Sequence, residues 1–283
     1  MTPDLAARIE AALGRRPRRR ARMSGGCIAE IYRVDLDGET VVAKLGRAPG
    51  ALPTEAYMLR YLRQHSALPV PDVLYVDDDL LVMSFIAGGD PLDDSAERHA
   101  AELLAALHDV SGPSFGLERD TLIGGLHQPN PPTGSWLEFF RDQRLLYMAR
   151  EAHDAGRLPA ATLRRVETLA GRLDRWLEEP ARPSLIHGDM WGGNVLSKGG
   201  RIVGFVDPAI YYADPEIELA FSTLFSTFGD AFFARYRELR SLRPGFFEER
   251  RDLYNLYPLL VHTRLFGGSY AGAVGRTLDR FGA

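Results

Sequence analysis

The chain is poor in cysteine, in charge imbalance and in long apolar runs, and each shortage excludes something. Its 283 residues include one cysteine, Cys27. An internal disulfide and a cysteine-rich metal site are both impossible, and a reducing compartment fits. Formal net charge is only −4, which argues against a general nucleic-acid or membrane-surface binder. No apolar run approaches the length of a membrane span. The N-terminal "MTPDLAARIEAALG" carries acidic residues early and lacks the apolar core of a secretory signal. The expectation is a soluble cytoplasmic protein that engages neither nucleic acid nor membrane. One local excess stands out. "RRPRRRAR", Arg15 to Arg22, holds six arginines. Such a run usually forms a solvated stretch, here leading into a strand; a phosphate- or partner-facing role is the alternative.

The pattern changes character near residue 87. "PDLAARIEAAL" puts Leu5, Ile9 and Leu13 on one helical face. "ARMSGGCIAEIYRVDL" reads as strand, glycine turn, strand, and "GETVVAKLG" as a third strand reached through Asp37-Gly38. A helix follows in "LPTEAYMLRYLRQHS", with Pro53 near its start. "PDVLYVDDDLLVMSFIAGG" adds two strands around an acidic turn. "AGGDPL", residues 87–92, reads as a linker. Beyond it the chain is mostly helical, apart from a long Pro/Gly-rich loop at 111–134 and short strands around residues 184–207. The division expected is 1–86, an antiparallel sheet with one inserted helix, and 87–283, a larger and mainly helical part.

The most informative stretch is "LIHGDMWGGNVL", residues 185–196. Asp189 is followed five residues later by Asn194, and thirteen further on Asp207 ends the apolar strand "IVGFV". Moving a phosphoryl group from ATP to a hydroxyl needs a carboxylate to orient the hydroxyl and take its proton. It also needs oxygen ligands for magnesium and a cation on the α/β-phosphates. Asp189 then reads as the base, and Asn194 and Asp207 as ligands of Mg2+. The other parts occur upstream in order. "SGGCIAE", with Gly25, Gly26 and Cys27, is a turn suited to covering phosphates. Lys44 closes the strand "VVAK", and Glu55 in the next helix is placed to pair with it. Met83, Ser84, Phe85 and Ile86 lead into the linker, where adenine would meet backbone. An isolated aspartate in a turn is usually a cap or an Asx-turn; the ordered set argues for catalysis. His187 reads as packing and bonding to backbone.

These motifs resemble the protein-kinase-like fold in its small-molecule form, which implies an α+β bilobal architecture. The resemblance narrows to the fructosamine kinase (ketosamine-3-kinase) family. It is carried by "GGCIAE", "HGDMWGGN", "FVDPAIYYADPEIELA" and "LFGGSY", and covers essentially the whole chain. Met190 and Gly192 depart from the commoner family pattern, and Glu218 stands where Asp is usual. The resemblance implies ATP-dependent phosphorylation of the 3-hydroxyl of a ketosamine, free or on a glycated protein lysine, as a deglycation activity. It implies a place at the substrate for Trp191, Glu216 and His262 beside Asp189. Trp191 also has a chemical reason to be there, an aromatic face for a sugar ring. Two further readings stay open: the same chemistry on an aminoglycoside, amino alcohol or sugar, and a nucleotide-binding pseudokinase scaffold. The first is disfavoured by the few acidic residues of the 110–135 loop, Glu118 and Asp120; the second by the presence of Lys44, Asp189, Asn194 and Asp207. Cys27 reads either as a small packed residue or as an oxidisable thiol in the phosphate turn. The protein is accordingly expected as a monomer or as a weak, redox-linked homodimer.

Overall fold

The computed structural model describes residues 5–23, 29–46 and 48–283. Helix α1 (Leu5–Leu13) leads into a five-stranded antiparallel sheet of β1 (Arg19–Arg22), β2 (Ala29–Asp35), β3 (Thr40–Gly46), β4 (Val73–Val76) and β5 (Leu80–Ser84). The spatial order is β1-β2-β3-β5-β4, and α2 (Ala51–His65) is inserted after β3. Alternation along the strands divides their side chains between two faces. Val41 and Ala43 of β3 and Leu80 and Val82 of β5 pack with Leu5 and Ile9 of α1. Leu81 and Met83 turn the other way and join Leu52, Ala56, Met58, Leu59 and Leu62 of α2. Burying each such side chain contributes about 1.5–3 kcal/mol. The arginine run forms the exposed edge strand β1, where charge opposes edge-to-edge pairing. Arg15 pairs with Glu39 and Arg18 with Asp37, so this run is a solvated face.

Between Ser84 and Asp93 the chain has no regular structure. Asp93 then caps α3 (Asp94–Asp109) by accepting from the Ala96 amide at 2.8 Å. The remaining helices are α4 (Trp136–Phe139), α5 (Tyr147–Asp154), α6 (Ala160–Ala170), α7 (Glu216–Leu224), α8 (Asp230–Leu239), α9 (Arg251–Phe266) and α10 (Ser269–Arg280). A π-helical segment, Phe140–Leu146, joins α4 to α5. The apolar residues of α2 and of the inner sheet face share one continuous core with these helices. That core fixes α2 over the site described below.

The loop expected over residues 111–134 is partly structured. It contains a hairpin of β6 (Thr121–Ile123) and β7 (Leu126–Gln128), turned by Gly124 and Gly125, which have φ of 54° and 77°. Two left-handed residues in a two-residue turn are the form that a right-twisted hairpin prefers. Two short strand pairs complete the picture around the central motif: β8 (Ser184–Ile186) pairs with β11 (Tyr211–Ala213), and β9 (Val195–Lys198) with β10 (Arg201–Phe205).

Candidate active site

A cavity of about 430 Å³ lies between the inner sheet face, α2 and the segment 186–209. Lys44, Glu55, Asp189, Asn194 and Asp207 all line it, as do Trp191, Glu218 and His262. The β9–β10 hairpin explains one spacing in the sequence. Phe205 faces Val195 in register, and the Val206 amide donates to the Asn194 carbonyl at 3.0 Å. Asn194 and Asp207 thus emerge side by side at the open end of one hairpin, before its first strand and after its second. Asp207 has a left-handed backbone, φ 53°. A non-glycine residue held there costs on the order of 1–3 kcal/mol, and such strain concentrates at functional sites.

Lys44 is buried, and its ammonium bridges two carboxylates. It donates to Glu55 Oε1 at 2.6 Å and makes a second, close contact with Asp207 Oδ1. Burial alone would favour the neutral amine, but the charges of Glu55 and Asp207 outweigh it and raise the pKa. The choice of residue carries information that the sequence reading overlooked. The chain has 34 basic residues, and Lys44 and Lys198 are its only lysines. In a chain that otherwise uses arginine, a lysine at this position points to a need for a compact ammonium.

Asp189 is held by Asn194, whose side-chain amide donates to the Asp189 carbonyl at 2.9 Å and to its carboxylate Oδ2 at 3.0 Å. Burial pushes the Asp189 carboxyl up to about 7; the Asn194 bond opposes this, while the charges of Asp207 and Glu218 add to it. A carboxylate poised near neutrality suits a general base. The residue before it, Gly188, has φ 86°, and a Cβ there would lie 2.1 Å from the Ala209 carbonyl oxygen. Only glycine fits. The Gly188 amide donates to Glu218 Oε1 at 2.7 Å, and the other Glu218 oxygen meets His108 Nε2 at 2.8 Å. Glu218 thus ties the loop to buried His108. His187 is buried too; its carbonyl accepts from Ala209, and burial lowers its ring pKa.

The structure rearranges part of the expected set. Glu216 is not at the cavity: both its oxygens are taken by Arg250, with Arg243 alongside, because α7 turns this position toward the helices behind it. Glu218, two residues on, faces the cavity instead. Met83, Ser84, Phe85 and Ile86 are not among the lining residues; Met83 packs in the core and Ile86 packs against Gly204. Gly25, Gly26 and Cys27 lie outside the described residues. Trp191 is 43% exposed, and its ring folds over Gly193, where a Cβ would come within 2.3 Å of it. Glu118 and Asp120 point away from the cavity, Glu118 to Tyr57 and Asp120 to His127 and the Asn130 amide. Among the described residues no helix is long and apolar enough to cross a membrane.

The fold is that of the protein-kinase-like phosphotransferases. An aminoglycoside phosphotransferase superimposes with a TM-score of 0.68 at 20% identity, covering 99% of both chains. A Thermobifida fusca protein named "putative fructosamine-3-kinase" superimposes with a TM-score of 0.87 at 34% identity, covering 98% of this chain and 99% of that one. The fructosamine kinase family model matches residues 1–282, and the chain belongs to that family. A Synechocystis protein named "probable ketoamine kinase" is 36% identical over 264 residues, 89% of this chain and 86% of that relative. An Arabidopsis thaliana protein named protein-ribulosamine 3-kinase, chloroplastic, is 30% identical over 269 residues, 92% of this chain and 81% of its own.

Proposed function

We propose that the chain transfers the γ-phosphoryl group of ATP to the 3-hydroxyl of a ketosamine, the adduct of a sugar with an amine such as a lysine side chain. The observation that carries this is the convergence of Lys44–Glu55 and Asp189–Asn194 on Asp207 in one cavity, within a chain of this family. Asp189 takes the proton as the acceptor oxygen bonds to the γ-phosphorus and the bond to the β,γ-bridging oxygen breaks, releasing ADP. Lys44 contacts the α/β-phosphates, and Glu55 holds it there. The nucleotide lies between a lobe of residues 1–86 and a lobe of residues 87–283.

The donor set fits magnesium. Asp207 and Asn194 offer one carboxylate and one amide oxygen side by side, and magnesium needs no more than one or two carboxylates once phosphate oxygens are present. Bound there, the ion would neutralise charge on the phosphate oxygens. Trp191 supplies a face for the sugar ring, and His262 a ring nitrogen beside it. A phosphate on C3 of a ketosamine is a good leaving group once C1 loses a proton, and hydrolysis of the resulting imine frees the amine. That sequence would make the activity a deglycation.

An aminoglycoside acceptor is less well supported. Each carboxylate lining the cavity already has a partner, and Glu118 and Asp120 face elsewhere. The discriminating assay is phosphate transfer from ATP to ribulose-, erythrulose- and fructose-lysine, with kanamycin and choline beside them. Turnover of kanamycin with none of ribulose-lysine would falsify the acceptor assignment. A cytoplasmic setting is proposed because a chain with one cysteine forms no internal disulfide and so suits a reducing compartment.

A further inference from the structure

Six large apolar side chains are exposed among the described residues; two of them, Trp191 and Phe266, line the active-site cavity, and a third, Phe225, packs against Trp191 and the cavity residue His262. They are 43, 49 and 38% exposed. The rings come from separate elements. Trp191 belongs to the catalytic loop, Phe221 to α7, Phe225 follows it, His262 and Phe266 are on α9, and Tyr270 is on α10. His262 is the hub: its ring centroid lies 5.0 Å from Phe225, 6.4 Å from Phe221, 5.7 Å from Phe266 and 5.0 Å from Tyr270. Trp191 closes the arc, 6.5 Å from Phe225. Exposed aromatic surface gathered from four elements forfeits burial that folding would otherwise gain, and such patches mark recognition sites.

We propose that Phe225 and Phe266, together with Trp191, His262 and Tyr270, form an aromatic box that takes the secondary ammonium of the acceptor and so selects amine-linked sugars. This rests on the ketosamine reading and assigns its cationic group a place. In a ketosamine the ammonium nitrogen sits on C1, a few bonds from the reacting 3-hydroxyl. Trp191 is two residues from Asp189, so an ammonium held among these rings leaves the sugar directed at the base. Aromatic faces attract alkylammonium ions through the ring quadrupole. Among the described residues the nearby carboxylates already have partners: Glu218 holds the Gly188 amide and His108, and Asp189 holds Asn194. His262 Nδ1 faces the Pro258 carbonyl at 2.7 Å, which leaves Nε2 without a proton in the neutral ring and able to accept from the ligand. Such a box holds one cation, which suits a ketosamine and not a polycationic aminoglycoside.

The test compares two acceptors that differ only in charge at the linking atom, 1-butylamino-1-deoxyribulose and its neutral ether counterpart 1-O-butylribulose. The quantity read is the ratio of their kcat/KM values in wild type, Phe225→Leu, Phe266→Leu and the double variant. Leucine keeps apolar contact and removes the π face. The ratio should favour the amine in wild type and fall about two- to fivefold for each ring lost. An unchanged ratio, with both acceptors falling together or neither falling, would overturn the box. If wild type phosphorylates neither ribulose derivative, the ketosamine reading fails on its own, and the box is then read by binding. Trp191 fluorescence, taken as the difference from Trp191→Phe, is titrated with butylammonium and with butanol. Quenching by the cation alone, weakened in the leucine variants, supports the box; equal response to both probes, or none, overturns it.

Discussion

Lys44 and Asp207 touch across 163 positions of sequence, ammonium to carboxylate. The pair brings the third strand of the sheet to the second residue after β10, and Glu55 of α2 holds the same ammonium at 2.6 Å. Lys44→Ala is expected to lower kcat/KM for ATP by about 10²-fold or more, the scale of a lost electrostatic contact to a transferring group. Lys44→Arg should not restore it, because a planar fork does not replace a compact ammonium held by two carboxylates. Steady-state kinetics with ATP varied at saturating acceptor gives the answer; near-normal kcat/KM in either variant contradicts the role.

Asp189→Asn should reduce turnover by about 10²–10⁴-fold, the usual worth of a general base. Nucleotide binding should persist, since Lys44 and Asp207 are untouched. The check is turnover alongside equilibrium titration with an ATP analogue. A variant that keeps more than about a tenth of wild-type turnover, well short of a lost base, removes Asp189 from the mechanism.

The same substitution predicts a pH effect on stability. Burial raises the Asp189 carboxyl to about 7 in the folded, metal-free protein, against about 3.9 in an unfolded chain. Between those values the folded state holds a proton that the unfolded state has lost. Stability from this group is therefore full below about pH 4 and is lost as pH rises through about 7. Asp189→Asn escapes that loss. Its Tm relative to wild type, measured with chelator present, should be higher at about pH 8 than at about pH 5. A difference that does not vary with pH contradicts the raised value.

Gly188→Ala should cripple the catalytic loop without touching any reacting group. Its φ is 86°, and the added methyl would lie 2.1 Å from the Ala209 carbonyl oxygen. The loop must shift, so a lowered Tm and loss of turnover are expected together, with a cost on the order of 1–3 kcal/mol from the backbone alone. Wild-type melting and turnover would show that the loop tolerates a side chain there.

Much of this was legible because the informative residues sit on simple elements. Lys44 lies within an apolar strand, Glu55 lies in the helix after it, and Asn194 and Asp207 flank a hairpin whose antiparallel register sets their spacing. The parts that were not legible depend on tertiary context. Gly124-Gly125 is a hairpin signal, but β6 and β7 have three residues each and stand amid prolines and glycines, so the segment reads as loop. The π segment at Phe140–Leu146 has the same apolar periodicity as the helix around it. Glu216 and Glu218 are two positions apart on one short helix, and periodicity cannot tell which meets the cavity; buried Arg250 and His108 decide it. Phe225 and Phe266 read singly as surface or core aromatics, and only the fold places them beside Trp191.

The central claim is tested most directly by locating the phosphate. Wild-type protein is incubated with ATP, magnesium and ribulose-lysine, and the product is followed by phosphorus and proton nuclear magnetic resonance. One ADP should form per acceptor consumed, with phosphorus coupled to the proton on C3, followed by free lysine and inorganic phosphate as that ester decays. Phosphate on any other hydroxyl, or ADP formed with the acceptor unchanged, would contradict the account.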